Sequence, residues 1–180
     1  VREFFEACAP FFRLIHQDPA EEAMRLQEDV PSGKTPEDKY VFGISGYGSP
    51  ARLLALVELL RGYPGPDDWY VGLLLVAPER RGEGLGAALV VALVRYVGER
   101  GGRALHLAVQ EQNRAALRFW QRHGFSIRDS QIVPAAGDAN RIFFRRPAMA
   151  LEKLKINFCC RRKFVLLNVQ PQQPQHRFGL

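Results

Sequence analysis

The residues most able to do chemistry lie in segment 73–87, where an apolar stretch runs into a basic, glycine-rich turn. Three glycines alternate along this turn: Gly82, Gly84 and Gly86. Glycine serves where a backbone approaches a ligand or takes positive φ, and the unpaired amides of a following helix attract an anion. Arg80 and Arg81 add guanidinium groups that suit phosphate geometry. The segment therefore predicts a phosphate-binding turn, with an ordinary strand-to-helix turn as the alternative.

Two motifs together resemble a known family. Arg81, Gly84 and Gly86 have the spacing R-x-x-G-x-G, which resembles the pyrophosphate motif of the GNAT superfamily of acetyl-CoA-dependent N-acetyltransferases, bacterial type. Segment 113–125 fits that superfamily's pattern N-x-x-A-x-x-x-(aromatic)-x-x-x-G-F. The matched positions of this second motif are Asn113, Ala116, Trp120, Gly124 and Phe125. The motifs also fall in the expected order, and the resemblance covers about residues 1–147.

The resemblance implies a fold and a reaction. The fold is α/β, a mixed, mostly antiparallel central sheet that splays at a cofactor wedge and carries helices on both faces. The reaction moves an acetyl group from acetyl-CoA, a co-substrate, to a primary amine by direct attack, without a metal. The implied cofactor contacts are the backbone of Leu75, Val76 and Ala77 for the pantetheine arm, where one amide also serves the oxyanion, and the amides of Arg81, Gly82, Glu83, Gly84, Leu85, Gly86 and Ala87 for the pyrophosphate.

Asn113 and Trp120 are further candidates for cofactor binding. Asn113 begins a helix, where it would hydrogen-bond the pantetheine or the adjacent strand, or simply cap the helix. Trp120 occupies the position at which the family's usual general acid is a tyrosine. Because indole cannot give a proton to a leaving thiolate, Trp120 is expected to pack against the cofactor arm or the core, and water would protonate the thiolate. Tyr96 falls on an apolar helix stripe and is expected in the core.

Glu58 and Tyr70 are the candidate catalytic residues. Glu58 interrupts the apolar strand A-L-V-E-L-L, where a carboxylate is unexpected unless it faces a cleft; there it would act as a base. An outward-facing or edge position is the alternative. Tyr70 occupies the strand position at which other superfamily members carry a catalytic glutamate, so it would contact substrate directly or through water.

Other polar residues near these positions are mostly expected to have structural roles. His106 is expected to be structural, and His123 to cap a helix C-terminus. Asp67 and Asp68 would attract an amine or end a turn.

The elements that must position these residues follow from periodicity and turn residues. Gly72 lies inside a strand, where glycine often marks a bulge. That bulge would fit a splayed strand. The predicted elements are helices 2–16, 19–29 (capped by Asp18), 83–100 and 113–123, and strands 40–45, 51–60, 69–76, 103–110, 125–133 and 141–146, with a turn at 46–49.

Composition and charge narrow the class of protein. The chain has 180 residues, 47% of them hydrophobic, and a net charge of +6. This length fits one domain. Residues 151–180 contain six Lys and Arg against Glu152 alone, so about five of the six net charges belong to the tail. The remainder is nearly neutral, which argues against a nucleic-acid partner.

The cysteines and the apolar runs of the sequence indicate the cellular compartment of the protein. No apolar run in the sequence is long enough for a membrane span. The three cysteines, Cys8, Cys159 and Cys160, give neither a metal-ligand spacing nor an even disulfide framework. This favours a reducing compartment, and we expect a cytoplasmic protein. The expected partner is a small-molecule or peptide amine, and the expected assembly is a monomer or homodimer.

The domain prediction is a GNAT acetyltransferase domain at 1–147, with the family's first strand missing at the N-terminus, and a basic extension at 148–180. The extension would be an added strand, a partner- or nucleic-acid-binding segment, or a segment without function. Its last ten residues, rich in Gln and Pro, are expected to be disordered.

Two other functions remain open. Gly82-x-Gly84-x-x-Ala87 also satisfies a dinucleotide-binding fingerprint, but residues 78–81 separate it from its strand, and too few residues follow for the remaining βαβ units. A domain that binds a CoA ester without turnover is the second alternative, because Trp120 replaces the usual acid.

Overall fold

A computed structural model shows a mixed sheet with helices packed on both faces, which confirms the predicted fold class. It describes residues 1–28, 30–46, 49–133, 139–148 and 164–168. The elements are α1 (Arg2–Ala7), α2 (Ala9–Leu14), α3 (Pro19–Glu28), β1 (Lys39–Gly46), β2 (Ser49–Arg61), β3 (Asp68–Val76), α4 (Leu85–Glu99), β4 (Ala104–Gln110), α5 (Arg114–Arg122), β5 (Ser126–Val133), β6 (Ala139–Pro147) and β7 (Phe164–Asn168).

The N-terminal helices cover one face of the sheet. The predicted helix over 2–16 is instead two short helices that break at Cys8. Pro10 explains the break, because it has no N–H to donate to the preceding turn. Asp18 caps α3 as predicted: its Oδ1 accepts hydrogen bonds from the amides of Ala20 at 2.8 Å and Glu21 at 3.1 Å. The buried residues of this layer include Phe4, Phe5, Cys8 and Phe12 from the helices and Val41, Leu56 and Leu75 from the sheet.

Across the described residues the sheet order is β5-β6-β4-β3-β2-β1-β7. The strands β1 and β2 form the predicted antiparallel hairpin, in which Lys39 pairs with Leu60 and Phe42 with Val57. Residues 47 and 48 of the predicted hairpin turn lie outside the described residues. Among the neighbouring pairs, β3 and β4 run parallel and the others antiparallel.

A wedge opens between β3 and β4. Their described pairing covers Asp68–Val71 and ends where Val71 meets Leu107, while β3 stays paired with β2 as far as Val76. The register of β2 against β3 shifts at the same point, since Leu59 pairs with Val71 and Glu58 with Leu73. Gly72 is the extra residue, so the predicted bulge is confirmed. A bulge bends its strand and increases its twist, which turns β3 away from β4.

Helix α4 covers the opposite face of the sheet. Its buried residues recur at helical spacing and pack on both sides of the wedge: Leu85, Leu89, Val90, Leu93, Val94 and Val97. The helix begins two residues later than predicted because Gly84 takes φ +82° and ends the preceding turn. At its other end, a Cβ on Gly102 would lie 2.6 Å from Cδ1 of Trp69, so glycine is needed there for close packing.

Strand β7 brings part of the C-terminal extension into the sheet. Residues 164–168 run antiparallel to β1, from Phe42 opposite Asn168 to Gly46 opposite Phe164. This arrangement is the added strand among the alternatives raised by the sequence. Residues 149–163 and 169–180, with Cys159, Cys160 and the tail's basic residues, lie outside the described residues. The division of the chain into 1–147 and 148–180 stays a prediction.

Candidate active site

The glycines of the turn serve two different purposes. Gly82 has φ +79° and Gly84 has φ +82°, a conformation that favours glycine. A Cβ at either position would meet nothing within 4 Å, so the outer side of the turn is open. At Gly86, by contrast, a Cβ would lie 3.3 Å from the ring of Phe119. Gly86 therefore lets α4 approach α5 and does not take the positive φ that was one of its predicted uses.

The two arginines hold the turn in place. Arg81 Nε donates a hydrogen bond to the carbonyl oxygen of Val76 at 3.1 Å, which ties the turn to the end of β3. Arg80 forms an ion pair with Glu83 at 2.9 Å. The first backbone bond within α4 runs from the Ala88 amide to the Gly84 carbonyl. The amides just before it, at the open end of the helix, point outward with the positive end of the helix dipole.

The backbone of β3 alternates between its partner strand and the wedge. The Ala77 amide donates to the Leu54 carbonyl at 2.9 Å. In an antiparallel ladder the bonded pairs alternate, so Leu75 also bonds with β2, while the N–H and C=O groups of Leu74 and Val76 point toward the wedge. Of the three residues predicted to contact pantetheine, Val76 faces the wedge, and Leu75 and Ala77 use their backbone within the sheet. Leu74, which is not among the predicted contacts, also turns its backbone toward the wedge, and two-residue periodicity from Val76 would have indicated this.

A cavity of about 500 Å³ connects the wedge with the N-terminal helices, a volume typical of small-ligand sites. The cavity brings together four residues that the sequence singled out: Glu58, Tyr70, Asn113 and Trp120. Further polar lining residues are Gln17, Glu22, Arg25, Lys39, Gln110 and Arg141. Its apolar wall includes Phe11 and Phe12 from α2 and Ile15, which follows that helix. One cavity thus joins the backbone of the wedge to a charged end.

Glu58 faces this cavity, which decides between the two orientations that the sequence left open. Its Oε1 lies 3.3 Å from Nζ of Lys39, whose side chain is 8% exposed. Lys39 Nζ also donates to the Arg25 carbonyl at 3.3 Å. The carboxyl group lies over Gly72, where a Cβ would come within 3.0–3.2 Å of it. The bulge and its missing side chain therefore make the space that Glu58 occupies.

Tyr70 lies at the entrance to the wedge, and its hydroxyl group is protonated. Burial raises the pKa of Tyr70 to about 12, against smaller lowering effects from the Arg141 charge and the backbone of Ala108. Its ring meets that of Tyr63 edge-on at 5.4 Å between centroids. A phenol with this pKa stays neutral throughout the physiological range. Tyr70 is accordingly a hydrogen-bond donor at neutral pH.

Asn113 and Trp120 form the far wall of the cavity. Asn113 Oδ1 accepts a hydrogen bond from the Ala116 amide at 3.1 Å, so it caps α5 while it lines the cavity. Trp120 is 7% exposed and packs edge-on against Phe125 at 4.9 Å. It belongs to the core and also borders the cavity. Contact of either residue with a cofactor stays a prediction.

The other histidines and aspartates considered in the sequence analysis form ion pairs or hydrogen bonds with neighbouring residues. His106 Nε2 lies 3.4 Å from Asp68 Oδ2, and burial lowers the pKa of the imidazole, partly offset by the Asp68 charge. Asp67 pairs with Arg103 at 3.5 Å. His123 Nδ1 lies 2.7 Å from the Phe119 carbonyl oxygen and closes the end of α5, as predicted.

Two glutamines that the sequence analysis missed anchor the N-terminal helices to the wedge. Gln110 Nε2 donates to the Ile15 carbonyl at 3.2 Å, and Gln112 Nε2 donates to the Leu14 carbonyl at 3.4 Å and to Gln110 Oε1 at 2.5 Å. The bonds to Ile15 and Leu14 join residues almost a hundred positions apart. No local pattern in the sequence marks them.

Comparison with known proteins decides the family. The model of the acetyltransferase (GNAT) family matches residues 1–125. The chain belongs to this family. Acetyl transfer is the family's reaction, and the resemblance seen in the two sequence motifs is confirmed.

Individual relatives agree over parts of their length. The mycothiol acetyltransferase of Nocardiopsis dassonvillei is 36% identical over 85 residues, which are 46% of this chain and 25% of that protein. The mycothiol acetyltransferase of Arthrobacter sp. (strain FB24) is 35% identical over 72 residues, 40% of this chain and 22% of that protein. The chain thus spans about a quarter of the length of these curated relatives.

Solved structures share the fold. The acetyltransferase from Thermus thermophilus has a TM-score of 0.61 at 22% identity, over 81% of this chain and 87% of that one. A GCN5-related N-acetyltransferase from Kribbella flavida has a TM-score of 0.55 at 26% identity, over 79% and 91%. Within the part of the chain that the structure describes, no helix is long and apolar enough to cross a membrane.

Proposed function

We propose that this domain transfers an acetyl group from acetyl-CoA to a primary amine by direct attack. The observation that carries the proposal is the single cavity in which the wedge-facing backbone of β3 meets Glu58 and Tyr70. The family supports acetyl transfer, whereas the acceptor and the direct mechanism are inferred from the site.

The described residues fit acetyl-CoA, which supplies the acetyl group as a thioester. The N–H groups of Leu74 and Val76 and the C=O group of Leu74 would pair with the pantetheine arm as with an added strand, whereas the Val76 carbonyl already accepts a bond from Arg81. The amides at the start of α4, beside the open side of Gly82 and Gly84, would bind the pyrophosphate. Gly86 contributes by bringing α5 close to this turn.

Glu58 prepares the acceptor. It carries its negative charge in the ion pair with Lys39, attracts an ammonium group, and takes its proton directly or through water. The neutral nitrogen then bonds to the acetyl carbon, the carbon–sulfur bond breaks, and the electron pair leaves with the sulfur. The nitrogen then loses its surplus proton, which passes through water to the thiolate, so that an amide and a thiol result. A base is needed because an ammonium ion has no lone pair with which to attack.

Tyr70 acts as a hydrogen-bond donor and not as the acid. Its pKa of about 12 lies above that of an ordinary thiol, about 8.5. Proton transfer from the phenol to a thiolate would therefore be uphill by about 5 kcal/mol, since each pKa unit corresponds to about 1.4 kcal/mol. Water remains the better proton source. The Tyr70 hydroxyl orients the substrate beside Glu58.

The test measures thiol release from acetyl-CoA with a panel of primary amines. We expect release that depends on the amine, with a kcat/KM that falls in Glu58→Gln while CoA affinity is unchanged. CoA or acetyl-CoA should raise the melting temperature, because a ligand of the native state stabilises it, and NADH should not. CoA binding without amine-dependent release would support the alternative of a non-catalytic CoA-ester-binding module. A shift with NADH alone would contradict the proposal.

A further inference from the structure

The charged residues that line the acceptor end of the cavity are unbalanced. Arg25 pairs with Glu22 at 3.1 Å, and Lys39 pairs with Glu58 at 3.3 Å. Arg141 is the remaining cation of the lining, and no ion pair joins it to a residue that the structure describes. The described wall of the cavity therefore carries one positive charge in excess.

Arg141 stands in a row of residues that crosses the sheet. Glu58 lies on β2, Tyr70 on β3, Ala108 on β4 and Arg141 on β6, which is the order of these strands in the sheet, and all four line the cavity. Arg141 is opposite Gln110 in the register of β4 and β6. The Tyr70 hydroxyl interacts with the backbone of Ala108 and feels the charges of both Arg141 and Glu58. Tyr70 is therefore the central residue of the row.

We propose that Arg141 binds a carboxylate on the acceptor, so that the substrate is a small amino acid or a similar zwitterion. Its ammonium group points toward Glu58 and its carboxylate toward Arg141, with Tyr70 beneath it. This inference rests on the proposed function and adds the substrate class to it.

Charge complementarity favours such a substrate over a simple amine. A cationic amine would add a second unbalanced charge to a partly buried site, which costs free energy unless a counter-charge comes with it. A carboxylate supplies that counter-charge, and the planar guanidinium group of arginine binds it through two parallel hydrogen bonds.

The dimensions of the row are compatible with this placement. Three strand spacings separate β2 from β6, roughly 14 Å between backbones, and more where β3 and β4 splay. Both Glu58 and Arg141 line the cavity, and the charges of both act on the Tyr70 hydroxyl, whose strand lies between theirs in the sheet. The apolar wall of Phe11, Phe12 and Ile15 suits an apolar side chain on the substrate.

The experiment compares amino acids with their decarboxylated amines at saturating acetyl-CoA. The pairs are L-leucine with 3-methylbutylamine and L-phenylalanine with 2-phenylethylamine. We expect the amino acid to have at least tenfold higher kcat/KM, through a lower KM. Arg141→Gln should abolish this preference, and Arg141→Glu should reverse it. Arg145→Gln is the matched control, since Arg145 lies further along β6, opposite His106, and should keep the preference.

Two outcomes would overturn the inference. One is equal kcat/KM for both members of each pair in the wild type. The other is a fall in kcat by the same factor for both members in Arg141→Gln, with the melting temperature and CoA affinity retained, because this would assign Arg141 to a step common to all amines. Both results leave amine-dependent thiol release intact. Absence of such release with any amine would instead overturn the proposed function and this inference together.

Discussion

The carboxyl group of Glu58 occupies the space above Gly72, and its atoms lie 3.0–3.2 Å from where a Cβ at Gly72 would be. The two residues belong to neighbouring strands, at the point where the register of β2 against β3 shifts. The same bulge opens the wedge and makes room for the carboxylate. Cofactor site and acceptor site thus depend on one local irregularity of the sheet.

Gly72→Ala should displace the Glu58 carboxylate and lower kcat/KM roughly tenfold. The contact is with the end of a flexible side chain, so the fold should tolerate the methyl group with a small change in melting temperature. A double-mutant cycle with Glu58→Gln checks the mechanism, because residues in contact are not additive. We expect Gly72→Ala to have little effect in the Glu58→Gln background. Full additivity of the two substitutions would contradict the role given to Gly72.

Gly84→Asp should abolish CoA binding while the domain stays folded. The substitution puts a negative charge where phosphate is proposed to bind, and a Cβ there meets nothing within 4 Å. Gly84→Asn is the matched control, because it places a side chain of the same size at the same positive φ without the charge. Calorimetric titration with CoA should show weak binding to the Asn variant and none to the Asp variant. Equal affinities in both variants would show that the turn does not bind the phosphates.

Tyr70→Phe should lower kcat/KM by a similar factor from pH 6 to 9. Because the pKa of Tyr70 is raised to about 12, its ionisation cannot shape the activity profile in this range. Loss of the hydroxyl removes one hydrogen bond to the substrate, and we expect a fall of roughly tenfold, as for a bond worth about 1.4 kcal/mol. If kcat/KM of the wild type changed with pH above 7 and this change disappeared in Tyr70→Phe, the assignment of Tyr70 as a neutral hydrogen-bond donor would be contradicted.

The same group makes the free energy of unfolding depend on alkaline pH. Folding favours protonated Tyr70, so its contribution is fully present below the ordinary tyrosine pKa of about 10 and is lost as the pH rises toward 12. Urea unfolding at pH 9 and pH 11 should show a larger loss of stability in the wild type than in Tyr70→Phe. Equal losses would show that Tyr70 is not the group responsible.

Local patterns in the sequence predicted the features that depend on neighbouring residues. The cap of Asp18, the bulge at Gly72 and the cap of Asn113 follow from residue types that favour those conformations, and all three are observed. The same local reasoning was less accurate at 2–16, where Pro10 interrupts the apolar helical period.

Features that depend on strand register could not be predicted from local sequence patterns. Whether Leu74 or Leu75 presents its backbone to the wedge depends on the shift at Gly72, and a shift of one residue reverses the answer. Arg141 reaches the cavity because β6, and not β5, lies beside β4. The order of the strands is a property of the whole sheet, and no single segment of the sequence predicts it.

Removal of residues 148–180 tests whether the extension contributes to the stability of the domain and to its affinity for CoA. We expect the shortened chain to stay folded and to keep its CoA affinity, because the wedge lies between β3 and β4, away from the edge where β7 pairs with β1. The melting temperature should fall by several degrees, since removal of β7 exposes the backbone groups of β1 at the edge of the sheet. An internal deletion of 164–168 alone should reproduce most of that fall if strand pairing is its cause. An unchanged melting temperature in both variants would show that β7 adds nothing to stability, and a loss of CoA binding would show that the extension supports the wedge.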